Sequence, residues 1–296
     1  MKTLLTLICC AAITQSAFAQ IDSSQLLNDV ETLSDNKFEG RQTGTKGNRM
    51  AQFYLLDRFK KAGIKPMSGT YEQPFYFTRG DVRTMGTNLY GYIPGKTDSV
   101  IVISAHYDHI GVNGAANKAD SIFNGADDNA SGVAAILGMA AWFAKHPPRH
   151  TLIFAAFDAE EMGLQGAKAF LDRPPVPLTK MVANINLDMV SRNDKKELYA
   201  CGTFHYPRLK PYIQAAAAKS KIILLTGHDK PEEGSQNWTS QSDHGVFHRK
   251  NIPFIYFGVE DHPDYHKASD EFSRIHPSFF YQAANTVLEV VRLMDK

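Results

Sequence analysis

Apolar residues recur along this chain with two alternating periods. Within residues 46–62, Met50, Phe53, Tyr54, Leu56 and Phe59 fall at helical spacing and Gly63 follows as a stop, which predicts a helix. A shorter helix is predicted over 24–33. Residues 71–77 and 87–93 read as strands, the second closed by Pro94-Gly95. Val100, Ile101, Val102 and Ile103 form an unbroken β-branched run, so 99–105 is predicted as a strand buried on both faces. Helices over 131–145, 164–171, 211–219 and 277–294 then interleave with strands over 151–157, 181–187, 198–200, 222–225 and 253–257. Strands separated by helices predict an α/β fold with three layers: a mostly parallel, mixed central sheet with helices on both faces. No internal repeat, linker or shift in composition marks a second domain.

The N-terminus follows a different pattern. Met1-Lys2 is a short basic start, residues 4–12 are apolar apart from Thr6, and Ala17-Phe18-Ala19 offers small residues where a signal peptidase reads. This is the layout of a secretory signal peptide, and the apolar stretch is shorter than the about 20 residues of a spanning helix. Ile8 and Cys9 are poor small residues ahead of Cys10, which argues against lipid attachment there. Cleavage near Ala19 is therefore expected, leaving 20–296 as a single domain in the periplasm or the medium. Cys201 is then the remaining cysteine, so no disulfide forms within the mature chain, and a buried structural thiol is expected. Lys plus Arg (32) nearly cancels Asp plus Glu (31), which removes the broad field that would draw nucleic acid or an anionic membrane. A hydrophobic content of 43% excludes a disordered chain.

Polar chemistry gathers where the predicted strands end, which is where open α/β sheets bind ligands. One strand runs into His106-Tyr107-Asp108-His109, the next into Asp158-Ala159-Glu160-Glu161, a third into Asp188, and the last into Glu260-Asp261-His262-Pro263-Asp264-Tyr265-His266. Between the first two lies Gly125-Ala126-Asp127-Asp128-Asn129-Ala130-Ser131-Gly132, a loop that opens a helix. Each piece alone has a structural reading: Asp128 or Asn129 as a helix cap, Glu160-Glu161 as charge in a first turn, Asp188 as a solvated strand end. Together, so many carboxylates at one sheet edge repel one another unless a cation joins them. Imidazole plus carboxylate suits zinc. In His106-Tyr107-Asp108 the carboxylate is expected to accept the proton of the non-ligating ring nitrogen and so to orient the imidazole.

Ala105-His106-Tyr107-Asp108-His109, the loop from Gly125 to Gly132, Asp158-Ala159-Glu160-Glu161-Met162-Gly163, Asn186-Leu187-Asp188-Met189, Ser242-Asp243-His244 and Tyr265-His266 followed by Asp270 resemble, in this order, the M28 family of zinc peptidases. The resemblance covers the chain from about Phe38 onward. It implies the zinc aminopeptidase fold, also called phosphorylase/hydrolase-like, without the protease-associated domain that many members insert. It implies two zinc ions, one held by His106 and Asp188, the other by Glu161 and His266, with Asp128 as the bridge and Asp127 as the neighbour most easily confused with it. Glu160 is then the general base, Asp108 the residue that orients His106, and Tyr265 a stabiliser of the tetrahedral intermediate. The activity implied is that of an exported exopeptidase, a metallo-aminopeptidase that removes the N-terminal residue of peptide substrates with a metal-bridged water. No stable membrane association is expected. A metallo-carboxypeptidase or dipeptidase, a single-zinc glutaminyl cyclase and a non-catalytic ectodomain are the alternatives on the same fold. His109, His244 and His262 lie near the implied site, and His244 is expected to make a structural hydrogen bond. Trp238, Phe247 and Tyr256 either line a side-chain pocket or fill the core.

Overall fold

The structure is a computed structural model and describes residues 20–113 and 120–296. The signal peptide expected over 1–19 lies outside the described residues. Helices are α1 (Ser23–Leu33), α2 (Lys46–Lys61), α3 (Gly132–Lys145), α4 (Gln165–Asp172), α5 (Lys210–Ala217), α6 (His244–Arg249) and α7 (Pro277–Met294). Strands are β1 (Lys65–Pro66), β2 (Glu72–Arg79), β3 (Val82–Ile93), β4 (Val100–His106), β5 (Gly111–Val112), β6 (Ile122–Phe123), β7 (Thr151–Phe157), β8 (Met181–Leu187), β9 (Glu197–Cys201), β10 (Ile223–Thr226) and β11 (Phe254–Gly258).

Nine strands form one sheet in the order β1-β3-β7-β4-β8-β11-β9-β10, with β2 paired to β3. The four central strands, β7, β4, β8 and β11, run parallel. Antiparallel pairing joins β1, β2 and β7 to β3, and β9 to β11. The sheet is thus mixed, and parallel where it is most buried. Strand alternation divides the core: Ile101, Ile103 and Ala105 of β4 face one apolar cluster, while Val100 and Val102 face the other. Helices α1, α3, α5 and α7 cover the first face, and α4 and α6 the second. Ala134, Ala135 and Ala140 of α3 are fully buried, and their small side chains let the helix lie close to β4, β7 and β8.

The short strands β1, β5 and β6 are unexpected, and two further regions differ from the expectation. The β2–β3 hairpin is longer than 71–77 and 87–93, because pairing continues to Arg79 and Val82 through Val82-Arg83-Thr84-Met85-Gly86, where apolar and polar residues do not alternate. Helix α6, with six residues, is too short to show a period. Among the described residues no helix is long and apolar enough to cross a membrane.

Candidate metal centre

Sheet register brings the first two donors together. Ser104 of β4 sits beside Asn186 of β8 in a parallel pair, so His106 and Asp188 emerge side by side at the carboxyl edge. His106 Nε2 lies 3.2 Å from Asp188 Oδ1. Strand β7 flanks β4 on the other side, with His106 opposite Phe157, and delivers Asp158 to Glu161. Asp128 arrives on the loop before α3. That loop needs Gly125: its φ is +56°, and a Cβ there would sit 2.1 Å from the Asp128 carbonyl oxygen. Asn129 then stitches the loop to β8, donating to the Leu187 carbonyl (2.9 Å) and accepting from Gly132 N (2.9 Å) and Met189 N (3.3 Å). The Asp270 carboxylate accepts the backbone N–H groups of both Asp127 and Asp128.

The result is a carboxylate shared between two donor groups. Asp128 Oδ1 lies 3.4 Å from His106 Nε2, completing a group with Asp188. Asp128 Oδ2 lies 3.1 Å from His266 Nε2, which is 3.5 Å from Glu161 Oε2. A zinc ion with Zn–N and Zn–O bonds near 2.0–2.1 Å spaces tetrahedral ligands about 3.3 Å apart. The observed separations bracket that value; His106, Asp128 and Asp188 form one group able to hold a cation, and the second such group among the described residues is His109, Asp128 and Glu161, with His266 beside it. His109 also reaches the outer group: its Nδ1 lies 2.8 Å from Glu161 Oε1 and 3.7 Å from Asp128 Oδ2. At 2.8 Å the ring N–H donates an ordinary hydrogen bond to Glu161. His109 Nε2 has no partner among the described residues.

Among the neighbours, Asp108 departs from its expected role, whereas His244 makes the structural hydrogen bond expected of it. Asp108 holds His106 with its backbone carbonyl, 3.1 Å from Nδ1, while its carboxylate stands 3.7 Å away. That carboxylate instead accepts the N–H groups of Glu160 (3.0 Å) and Glu161 (3.3 Å), and so positions the next strand end. Asp127 points away from the shared site; it accepts from Ser191 N and Oγ (2.7 Å each) and faces His262 Nε2 at 3.0 Å. His244 is buried with Nε2 2.8 Å from the Trp238 carbonyl, and burial pulls its pKa down to about 3, so it is a neutral structural donor. Tyr265 stacks on His266 with ring centroids 3.9 Å apart and borders the cavity. Trp238 and Tyr256 line the same cavity, whereas Phe247 packs in the core against Phe157 and Phe170. Cys201 is buried, donates to the His228 carbonyl at 3.3 Å, and has its pKa raised by burial.

Electrostatics mark the site as built for added positive charge. Burial, then Asp188, Asp243 and Glu161, push Glu160 well above the usual carboxylate range against the pull of His106. Burial would lower His106, but Asp188 and Glu160 raise it well above an ordinary histidine. Asp128 is held well below its usual value, because His109, His106 and His266 outweigh its burial. Burial raises Asp243 to about 8, and neither of its oxygens has a partner among the described residues.

One supporting residue is invisible to the sequence reading. Arg41, 0% exposed, donates to the carbonyls of Leu33 (2.6 Å), Tyr107 (2.8 Å), Asn124 (2.6 Å) and Gly125 (3.0 Å). Its guanidinium clamps the loop after His106 to the loop before Asp128. Nearby, Thr43 and Asn48 donate to Asp158 at 2.7 and 3.0 Å.

The model of a family described as peptidase family M28 matches residues 88–291. The aminopeptidase YwaD of Bacillus subtilis is 30% identical over 205 residues, 66% of this chain and 41% of that protein. The chain spans 37% to 49% of the length of several curated relatives it matches. Among solved structures, a glutaminyl cyclase of Porphyromonas gingivalis superposes with a TM-score of 0.75 at 20% identity, covering 93% of this chain and 99% of that one. A Zn-dependent exopeptidase of Parabacteroides distasonis does so with 0.74 at 20% identity, covering 93% and 99%.

Proposed function

The chain belongs to peptidase family M28, and on that premise we propose that it is an exported metallo-aminopeptidase, with residues 20–296 as one catalytic unit and two zinc ions as cofactors. The observation that carries this reading is the division of the two Asp128 oxygens between two donor groups, at 3.4 Å from His106 and 3.1 Å from His266. His106 and Asp188 would hold one ion, and Glu161 and His266 the other, with Asp128 common to both. When bound, the metal pair supplies Lewis acidity and a water acidified toward neutral pH.

The chain's own residues supply the rest. Glu160 lines the cavity without being needed as a ligand, and its raised pKa suits a group that takes a proton from water and returns it to the leaving amine. Glu161, beside it, serves the donor group, so two adjacent carboxylates acquire different tasks from different surroundings. The Tyr265 hydroxyl, with no hydrogen-bond partner among the described residues, faces the same cavity and can donate to the oxyanion that develops on the scissile carbonyl. A cavity of about 310 Å³ adjoins the donor groups and gives a substrate room beside them.

The test compares zinc-loaded and chelator-stripped protein on leucyl-p-nitroanilide, an N-acetylated peptide and an N-terminal glutaminyl peptide. Metal-dependent release of p-nitroaniline alone is expected, and Glu160→Gln should lower turnover by about 10²–10⁴ while metal stays bound. Release of C-terminal residues from the blocked peptide, or ammonia from the glutaminyl peptide without hydrolysis, overturns the aminopeptidase reading.

A further inference from the structure

A buried histidine with no part in the proposed reaction stands against the outer donor group. The His109 side chain is 0% exposed, and its Nδ1 lies 2.8 Å from Glu161 Oε1 and 3.7 Å from Asp128 Oδ2. The ring is packed on two sides. A Cβ on Gly125 would sit 2.6 Å from its Cδ2, so the glycine leaves the imidazole its room. The His266 ring meets it edge-on, with centroids 5.9 Å apart.

Distance and tautomer together decide what the facing nitrogen does. Two nitrogen or oxygen ligands of one tetrahedral zinc ion stand about 3.3 Å apart. Nδ1 and Oε1 are closer than that, at the length of a hydrogen bond. His109 Nε2 is buried and has no partner among the described residues. A ring that ligated through Nδ1 would carry its proton on Nε2, and a buried N–H without an acceptor is costly. Metal-ligating histidines instead pass that N–H to a partner. His106 has the Asp108 carbonyl 3.1 Å from its Nδ1, and the His266 side chain, 39% exposed, reaches water.

We propose that His109 is a positioning residue for the outer ion. It donates its Nδ1–H to Glu161 Oε1 and leaves that carboxylate only Oε2, the oxygen 3.5 Å from His266 Nε2, to offer a cation. The inference rests on the two-ion reading of this site, in which Glu161 and His266 share an ion. A carboxylate tied at one oxygen binds through the other alone, which fixes its direction and keeps a coordination position open for water or substrate.

The experiment follows the zinc-loaded protein by chelator competition and by NMR of isotope-labelled histidine. In His109→Phe the more weakly held ion should bind about 10–100-fold less tightly while the other is unchanged. His109→Asn, whose side-chain amide offers an N–H in place of Nδ1, should restore most of the loss. In the wild type the His109 signals, assigned by their disappearance in His109→Asn, should show a proton on Nδ1 and none on Nε2. A proton on Nε2, the form a ligating Nδ1 requires, overturns the inference. So does a His109→Phe variant that binds both ions as the wild type does, or a His109→Asn variant that binds no better than His109→Phe. Each of these leaves the peptidase reading standing. A wild type that takes up fewer than two zinc ions overturns the two-ion reading along with the inference.

Discussion

The two donor groups that share Asp128 are built differently. The inner group hangs from neighbouring parallel strands: His106 ends β4 and Asp188 follows β8, and their side chains are 1% and 11% exposed. The outer group hangs from loops: Glu161 follows β7, and His266, 39% exposed, lies on the segment after β11. Strand register sets the inner distances, since moving either residue would break the sheet. The outer distances depend on tethers along the loop, where Asp264 pairs with Arg192 and Arg274, His262 meets Asp127, and Asp270 caps the Asp128 backbone. His109 competes for the outer carboxylates and not the inner ones. The difference teaches that one half of the centre is preformed by the fold, while the other is assembled by side-chain contacts at a more open mouth.

Removing the shared residue tests the comparison most severely. Asp128→Ala should abolish ion binding at both groups and lower turnover by about three orders of magnitude or more, read by metal analysis and steady-state kinetics. Loss of only one ion would break the picture of a common carboxylate. Next in size is Arg41→Met, which leaves four buried carbonyls without a donor; a destabilisation of about 3–5 kcal/mol in urea unfolding is expected, with Arg41→Lys intermediate. Asp264→Ala sharpens the contrast between strand and loop. It should weaken the more loosely held ion by about 10–100-fold in chelator competition and leave the tighter one unchanged. Equal weakening of both ions would show that the loop supports the whole centre.

The smallest effect is expected from pH. Burial raises Asp158 to about 7 and Asp243 to about 8, above the ordinary value of 3.8. A carboxyl raised in the folded state stabilises it fully below its unfolded pKa, and this contribution is lost as pH rises through the folded value. Metal-stripped protein should therefore melt lower as pH climbs from about 4 to about 8, and bound zinc should blunt the decline. A melting temperature that rises over that window would contradict the charge assignment.

The contrast between strands and loops also explains what could be read from the sequence. The long amphipathic helix α2 and the buried run of β4 announce themselves by period, and His106, Glu161 and Asp188 stand out because they follow strand ends. The shared role of Asp128 was carried by family resemblance, and its physical basis, the Asn129 latch and the Asp270 cap, needs long-range contacts that no local pattern shows. Asp108 sits at the expected spacing, yet its carboxylate serves Glu160 and Glu161, because a backbone carbonyl reaches His106 first. Arg41 was missed altogether. Nothing in Glu39-Gly40-Arg41-Gln42-Thr43 marks it, and its partners are main-chain carbonyls, which carry no signature in the residue alphabet.

Arg41 and the Thr43–Asn48 pair stand well ahead of residue 88, where the family model begins to match. The catalytic end is thus braced from outside the stretch that identifies it. A version trimmed to 88–291 would keep every donor and lose the clamp between the two loops that present them. The family match covers the donors, whereas the contacts that tie their loops together reach back into the helical segment that precedes it.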